Sequence, residues 1–213
     1  MGILIALTLL CYSSAFGQSA TPTREFHMPP PVPAPVVRTG PFGFWYGMTK
    51  EQVIALVGKE AINKAVDDKL QLTAAPKGHP AFETYSLIFS PTQGLLKIVA
   101  IGKDIQTNDF GDSVKTAFTD LRDVISKTYG PPKSIDFVKR GSLWTDARDW
   151  MTGLLKEERS LAALWDNAPN HIRGVILEAN ALSTSKAYLR LSYEFEGWDE
   201  YADSKKAKAG TVF

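Results

Sequence analysis

Apolar and polar side chains alternate strictly along residues 186–196, and this pattern constrains the fold more than any other in the chain. A period of two places successive side chains on opposite faces of a β-strand. The apolar face of this strand would carry Ala187, Leu189, Leu191, Tyr193 and Phe195. Because the opposite face is polar, the segment predicts a strand of an antiparallel sheet that is buried on one side only.

Other periodic segments predict further strands and helices around this one. Strands are expected at 84–90, 95–102, 135–138, 159–165 and 172–179. Helices are expected at 50–57, 59–70, 110–129 and 146–156. The order of these elements predicts an α+β domain in which helices pack on one face of an antiparallel sheet. It also suggests two related halves, each with helices and strands.

The predicted domain spans residues 41–198 and begins shortly before a helix with clear end signals. Thr49 and Gln52 have the spacing of a capping box, in which each side chain accepts a hydrogen bond from the other residue's backbone amide. Gly58 suits the end of this helix, because glycine adopts positive φ without a steric penalty. These signals locate the start of the fold.

The segments that flank the domain are interpreted as export and linker sequence. Residues 1–17 have the short apolar run and the small residues of a signal peptide, although no Lys or Arg precedes the run. Cys11 follows Leu10, whereas a lipidation signal has a small residue there, so no lipid anchor is expected. Residues 18–40 are interpreted as a proline-rich linker, and 199–213 as a charged C-terminal helix or tail. We therefore expect a periplasmic or secreted protein with no transmembrane span after signal removal.

Charge and cysteine content exclude some kinds of partner and site. Lys and Arg number 24 against 23 Asp and Glu, which gives a net charge of +1. Without a basic excess, nucleic acid is not expected as a partner. Cys11 is the only cysteine, and it would be removed with the signal peptide. A disulfide, a thiolate nucleophile and a cysteine-bound metal are therefore not expected in the mature chain.

No sequence motif assigns a catalytic residue. The histidines His27, His79 and His171 lack metal-ligand spacing. Neither a Gly-x-Ser-x-Gly elbow nor a phosphate-binding glycine loop is present. No catalytic residue, metal site or cofactor is therefore predicted, although a hydrolase site assembled from distant loops around 144–148 and His171 stays open.

Two interpretations are available for Asp146 and Asp149, which lie near Trp144 and Trp150. A carboxylate pair beside stacking rings would suit a carbohydrate or cell-wall ligand. Alternatively, Asp146 caps a helix whose first turn contains Asp149, and both tryptophans belong to the core. We favour the second interpretation.

Aromatic side chains offer candidates for protein recognition. Trp, Tyr and Arg are enriched at the energetic centres of protein interfaces. On this basis the predicted binding residues are Trp45, Tyr46, Tyr188, Arg190 and Trp198. The aromatic residues of 42–46 also have a second interpretation, in which they close the open end of the core.

The segment 47–53, Gly-Met-Thr-Lys-Glu-Gln-Val, with Leu56 and Gly58 behind it, resembles the helix opening of two groups of bacterial proteins. One is the small lipoprotein of the outer-membrane barrel-assembly machine, and the other is the secreted β-lactamase inhibitor protein. The chain lacks the lipidation signal of the first group and the cysteine pairs of the second. The resemblance implies a protein-binding α+β domain and assigns no functional residue.

We therefore expect an exported, non-enzymatic protein-binding module, such as an envelope adaptor, an inhibitor or an immunity-type protein. The alternative is an envelope hydrolase, or a carbohydrate- or cell-wall-binding domain, with a site built from distant loops.

Overall fold

The computed structural model describes residues 39–210 of the chain. Its strands are β1 (Ile62–Val66), β2 (Lys69–Leu72), β3 (Phe82–Ser90), β4 (Gly94–Gly102), β5 (Ile105–Gln106), β6 (Lys133–Val138), β7 (Arg159–Ala168), β8 (Ile172–Ser183) and β9 (Lys186–Phe195). Its α-helices are α1 (Lys50–Val57), α2 (Asp112–Tyr129), α3 (Trp150–Leu155) and α4 (Trp198–Gly210). Short 3₁₀ turns occupy Pro41–Gly43, Lys59–Ala61 and Ala147–Asp149.

The strands form one antiparallel sheet with the order β1-β2-β3-β4-β9-β8-β7-β6, and β5 pairs with the beginning of β9. The first half of the fold consists of α1 and β1–β4. The second half consists of α2, α3 and β6–β9, with α3 between β6 and β7. The last strands of the two halves, β4 and β9, pair at the centre of the sheet. The predicted α+β fold with an antiparallel sheet is confirmed, and the two halves share one strand order.

The inner face of the sheet, which α2 covers, carries the core. The five apolar residues of β9 that the alternation predicts to be buried are at most 6% exposed. Against the inner face α2 packs Val114, Phe118, Leu121 and Ile125. This spacing of three and four residues is that of the predicted apolar side. At the end of α2, the indole N–H of Trp165 donates to the Gly130 carbonyl at 2.8 Å, which fixes the helix end over the second half.

The aromatic segment before α1 contributes to the core of the first half. Phe44 and Met48 are fully buried. The ring of Phe42 packs edge-on against three rings, with centroid distances of 5.0 to 5.7 Å: those of Phe82, Tyr85 and Tyr193. For Phe42 and Phe44 the structure supports the interpretation that the segment closes the core.

The helix predicted at 59–70 is wrong. After the 3₁₀ turn at Lys59–Ala61 the chain forms β1 and β2, and Asp67 adopts a φ of 45° in the turn between them. Leu70 and Leu72 are fully buried, with a polar residue between them. Because β2 pairs along its whole length with β3, tertiary pairing overrides the helical spacing of this segment.

The predicted helix-end signals are complete at α1, whereas the capping hydrogen bond expected before α3 is missing. The Gln52 amide donates to Thr49 Oγ1 at 3.2 Å, and the Thr49 amide donates to Gln52 Oε1 at 3.0 Å. Gly58 follows α1 with a φ of 81°. Asp146, the expected cap of the helix at 146–156, makes no side-chain cap hydrogen bond, and that helix begins as a 3₁₀ turn. The capping box therefore locates α1 correctly, and Asp146 stands at the expected N-cap position although its side chain makes no capping hydrogen bond.

The predicted signal peptide at 1–17 lies outside the described residues, as does nearly all of the linker at 18–40. The predicted C-terminal helix is present as α4, and residues 211–213 lie outside the described range. Between residues 39 and 210, no helix combines the length and the apolar character needed to cross a membrane.

Candidate functional site

The outer face of the sheet lies opposite α2 and is formed by the side chains that alternate with the core residues. The register places Val99 of β4 beside Ser192 of β9, and Ser192 beside Ile176 of β8. Ile176 pairs in turn with Leu164 of β7, and Val99 pairs with Ser86 of β3. Because paired residues of antiparallel strands point to the same face, these five side chains form one row across the sheet, here named the central row.

The central row and its surroundings present aliphatic surface that is only partly covered. Its half-buried aliphatic members are Val99, Leu164 and Ile176. Two more half-buried aliphatic residues, Ile101 and Ile135, belong to the next row on the same face, two residues along the strands from the central row. At the edge of the sheet, Phe137 of β6 is 53% exposed. Apolar side chains gathered on one accessible sheet face are typical of an interaction surface.

Ion pairs flank the central row on both sides. On one side, Arg190 Nε donates to Glu178 Oε2 at 2.8 Å. On the other side, Glu194 accepts hydrogen bonds from Lys97 at 2.8 Å and from Arg173 at 3.0 Å. Glu194 is buried, and its two cationic partners compensate the loss of hydration. The charges of the outer face are therefore held in fixed positions around its apolar middle.

The beginning of α4 is attached to the outer face beside Glu194. The ring of Trp198 lies 4.5 Å from Lys97 Nζ, a cation–π distance. Asp199 pairs with Arg173 at 2.7 Å. The ion-paired side of the outer face is therefore also the attachment point of the C-terminal helix.

Further along α4, Tyr201 and Lys205 both donate hydrogen bonds to the carboxylate of Asp68 in the turn between β1 and β2. Burial raises the pKa of Asp68, but the hydrogen bonds from Tyr201 and Lys205 outweigh burial, and the net change is downward. Burial and the Asp68 carboxylate raise the pKa of Tyr201 to about 12. The cluster borders a cleft of about 990 Å³ and anchors α4 to the first half. No local sequence pattern indicates it, because Asp68 and Tyr201 are 133 positions apart.

The predicted binding residues do not form one patch. Those on the outer face are Tyr188, Arg190 and Trp198, all half-buried. Trp45 packs against the core, and its indole nitrogen is buried without a hydrogen-bond partner among the described residues. Tyr46 stacks on His171 in the turn between β7 and β8, with ring centroids 4.9 Å apart. The alternation along β9 predicts that Tyr188 and Arg190 lie on the outer face. The central row could not be predicted from the sequence, because its residues come from five different strands.

The hydrolase site considered from the sequence is not assembled. Trp144 and Arg159, the first residue of β7, both approach Gly153, whereas His171 lies in the turn after β7. β7 contains ten residues, and at roughly 3.3 Å per residue it separates the two groups by about 30 Å. His171 Nδ1 instead lies 2.8 Å from Glu196 Oε2.

Trp150 belongs to the core, and its ring is not available for stacking on a carbohydrate. The residue is 3% exposed. Lys115 Nζ lies 4.6 Å from the ring centroid. The ring also packs so closely on Gly111 that a Cβ there would lie 2.2 Å from it. The core interpretation therefore holds for Trp150.

No group of three or more His, Cys, Asp or Glu side chains is arranged to hold a metal ion in the part of the chain that the structure describes. Comparison of the chain with protein-family models, with curated proteins and with solved structures found no match. The candidate site therefore rests on the geometry of the outer face.

Proposed function

We propose that the protein is an exported binding module that recognises another protein through the outer face of its sheet. The observation that carries this proposal is the central row, in which aliphatic and hydroxyl side chains cross the middle of the sheet and stay partly accessible. A sheet with one solvated face normally carries polar side chains there. An aliphatic row at that place gives a partner an apolar surface to cover.

The ion pairs beside the central row support the same function. Protein interfaces commonly combine an apolar centre with a polar rim. The pairs Arg190–Glu178 and Lys97–Glu194 lie on opposite sides of the row, so they would form such a rim. Because both pairs are already formed, a partner that covers the face leaves no unpaired charge of these four residues behind.

An envelope adaptor, an inhibitor and an immunity-type protein would all use a face of this kind. They differ in the partner, and the resemblance of residues 47–53 to envelope and secreted proteins favours a partner outside the cytoplasm. Tyr188 and Arg190 are of residue types that are enriched at the energetic centres of interfaces; Arg190 borders the row, and Tyr188 lies two residues further along β9 on the same face.

Site-specific cross-linking tests the proposed face. A photo-reactive residue at Val99 or Ile176 should cross-link to one partner protein in envelope extract. The same residue at Lys127, which is exposed on α2, should not. Cross-links that form only from α2 would place the binding surface on the opposite side of the molecule.

Charge insertion gives an independent measurement with the partner so identified. Val99→Arg and Ile176→Arg should weaken partner binding at least about tenfold, because an unpaired charge would be buried in the apolar middle of the interface. Lys127→Ala is the matched control. Urea unfolding of each variant separates loss of binding from loss of fold, and full binding by folded outer-face variants would contradict the proposal.

Export is tested separately, by N-terminal sequencing of protein recovered from an envelope fraction. The mature chain should begin at about Phe16 or Gln18, after the small residues that follow the apolar run. An intact Met1 found only in the cytosol would remove export from the proposal and leave the binding face untouched.

A further inference from the structure

An apolar pocket of about 430 Å³ lies on the inner side of the sheet, along the seam between the two halves. The loop before β3, the end of β4 and β5 border it on one side, and α2 borders it on the other. Leu121 and Leu189 are buried and form its base. Val124, 50% exposed, lies at its mouth. Small-molecule sites in proteins are mostly apolar cavities in this range of volume.

Small residues keep this pocket open. Ala81 and Ala117 line it, where larger side chains would fill the space. A Cβ at Gly102 would lie 2.8 Å from the carbonyl oxygen of Leu189, so close packing of β4 on β9 requires glycine there. The cavity therefore follows from the way in which the two halves join.

Three polar residues line the same pocket: His79, Lys103 and Asp120. Within residues 39–210, neither the Lys103 ammonium nor the Asp120 carboxylate makes an ion pair or a hydrogen bond. The Ala81 amide donates to Nδ1 of His79 at 3.2 Å, so Nδ1 acts as the acceptor in this contact. The lining of the pocket is almost entirely apolar, and the exposed side chains of Lys103, Asp120 and His79 supply a cation, an anion and a ring nitrogen at its border.

We propose that this pocket binds a small zwitterion with an apolar body, namely a free hydrophobic α-amino acid. Its carboxylate would pair with Lys103, its ammonium with Asp120, and its side chain would pack on Leu121 and Leu189. A ligand with only a carboxylate would face the Asp120 charge, and one with only an ammonium would face Lys103, so charge complementarity favours the zwitterion.

The volume agrees with a ligand of this size. At about 430 Å³ the pocket lies in the roughly 300–1,000 Å³ range of small-molecule sites. Phenylalanine is a small molecule with an apolar body that carries both charges, so it is a suitable probe. This site is independent of the proposed protein-binding face, because the two lie on opposite sides of the sheet.

Three probes of equal ring size separate the contributions of the two charges: L-phenylalanine, 2-phenylethylammonium and 3-phenylpropanoate. Methyl NMR of the purified protein should show saturable shifts of Val124, Leu121 and Leu189 with L-phenylalanine. Each singly charged probe should bind about tenfold more weakly, since it lacks one charge-assisted hydrogen bond. Isothermal titration calorimetry gives the same affinities without labels.

Two charge variants identify the partners. Lys103→Met should weaken phenylalanine binding about tenfold and leave 2-phenylethylammonium binding no weaker. Asp120→Asn should have the same effect on phenylalanine and leave 3-phenylpropanoate binding no weaker. Lys127→Met and Asp109→Asn are matched controls at exposed positions outside the pocket. All four changes affect exposed side chains, so urea unfolding should show an intact fold.

Two results would overturn the proposal. Equal affinity for the three probes would show an apolar pocket without recognition of charge, and the zwitterion assignment would fail. Absence of saturable methyl shifts with millimolar phenylalanine would show that the cavity is not a site for such a ligand.

Discussion

The two halves share a strand order but cover the inner face of the sheet differently. α1 has 8 residues and buries Val53, whereas α2 has 18 residues and buries four side chains. The second half also has α3 between its first two strands. In the first half, Phe42, Phe44 and Met48 supply cover from a segment without a long helix. Two halves with the same strand order can therefore bury their inner faces with different segments.

The two candidate sites lie where the two halves of the sheet meet. On the inner side, the seam beside α2 contains the apolar pocket. On the outer side, the halves contribute jointly to the central row, with Val99 from the first and Ser192 and Ile176 from the second. Both candidate sites therefore exist only where the two halves meet.

The largest expected effect tests whether the aromatic segment is as important to the first half as α2 is to the second. Phe44→Ala and Phe118→Ala each remove a buried ring, and each should lower the free energy of unfolding by about 3–5 kcal/mol. Urea unfolding measures both. Leu56→Ala on α1 is the control, because that side chain is exposed and its loss should cost less than about 0.5 kcal/mol. A small effect of Phe44→Ala beside a large effect of Phe118→Ala would show that the aromatic segment stabilises the first half less than α2 stabilises the second.

A smaller effect is expected at the end of α2. Trp165→Phe removes the indole donor of the Gly130 carbonyl and leaves that acceptor unsatisfied. The free energy of unfolding should fall by about 1–3 kcal/mol. Trp144→Phe serves as the control, because Trp144 is only half-buried. Equal effects of the two changes in urea unfolding would show that the bond does not hold α2 in place.

The sequence predicts the second half better than the first, and the reason is physical. The spacing of α2 and the alternation of β9 are local patterns, because each element faces the core with one side. The hairpin of β1 and β2 is different: its segment has helical spacing, and only pairing with β3 determines its form.

The candidate sites depend even more on distant residues. Tyr188 and Arg190 are predicted because they lie on β9 itself. The central row and the Asp68–Tyr201 contact join residues that are far apart in the chain. The alternation of side chains within one strand does not indicate which strand will pair with it. These sites are therefore visible only in the structure.

The capping box gives α1 a side-chain contribution at its start that Ser113 does not give α2. Thr49→Ala should destabilise the protein by about 1 kcal/mol, because the Gln52 amide loses its acceptor. The N-cap residue of α2, Gly111, has no side chain, and Ser113 donates its backbone amide to Thr107 Oγ1 at 3.2 Å, so Ser113→Ala keeps that bond and should change the unfolding free energy little. Circular dichroism during urea unfolding measures both. If both changes cost the same, the Thr49 hydroxyl does not stabilise α1 as a cap.

The smallest effect is expected at the cluster of Asp68, Tyr201 and Lys205, through which α4 holds the β1–β2 turn of the first half. The pKa of Asp68 is lowered, so its contribution is present above the ordinary value of 3.8 and is lost as the pH falls through the lower folded value. The pKa of Tyr201 is raised to about 12, so its contribution is complete below the ordinary value of 10.0 and is lost as the pH rises from there to about 12. Burial also raises the pKa of Tyr85, Tyr129 and Tyr193, and the difference between the native protein and Tyr201→Phe isolates the contribution of Tyr201. In urea unfolding, Tyr201→Phe should lose less stability at alkaline pH than the native protein does, and Asp68→Asn should lose less at acid pH.

Hydrogen exchange at neutral pH tests which strands the cluster of Asp68, Tyr201 and Lys205 stabilises. Asp68→Asn should show faster exchange in β1 and β2 and no change in β6 and β7. Faster exchange in both hairpins would show that the cluster stabilises the whole sheet, and the first half would then not depend on α4 in the way the structure indicates.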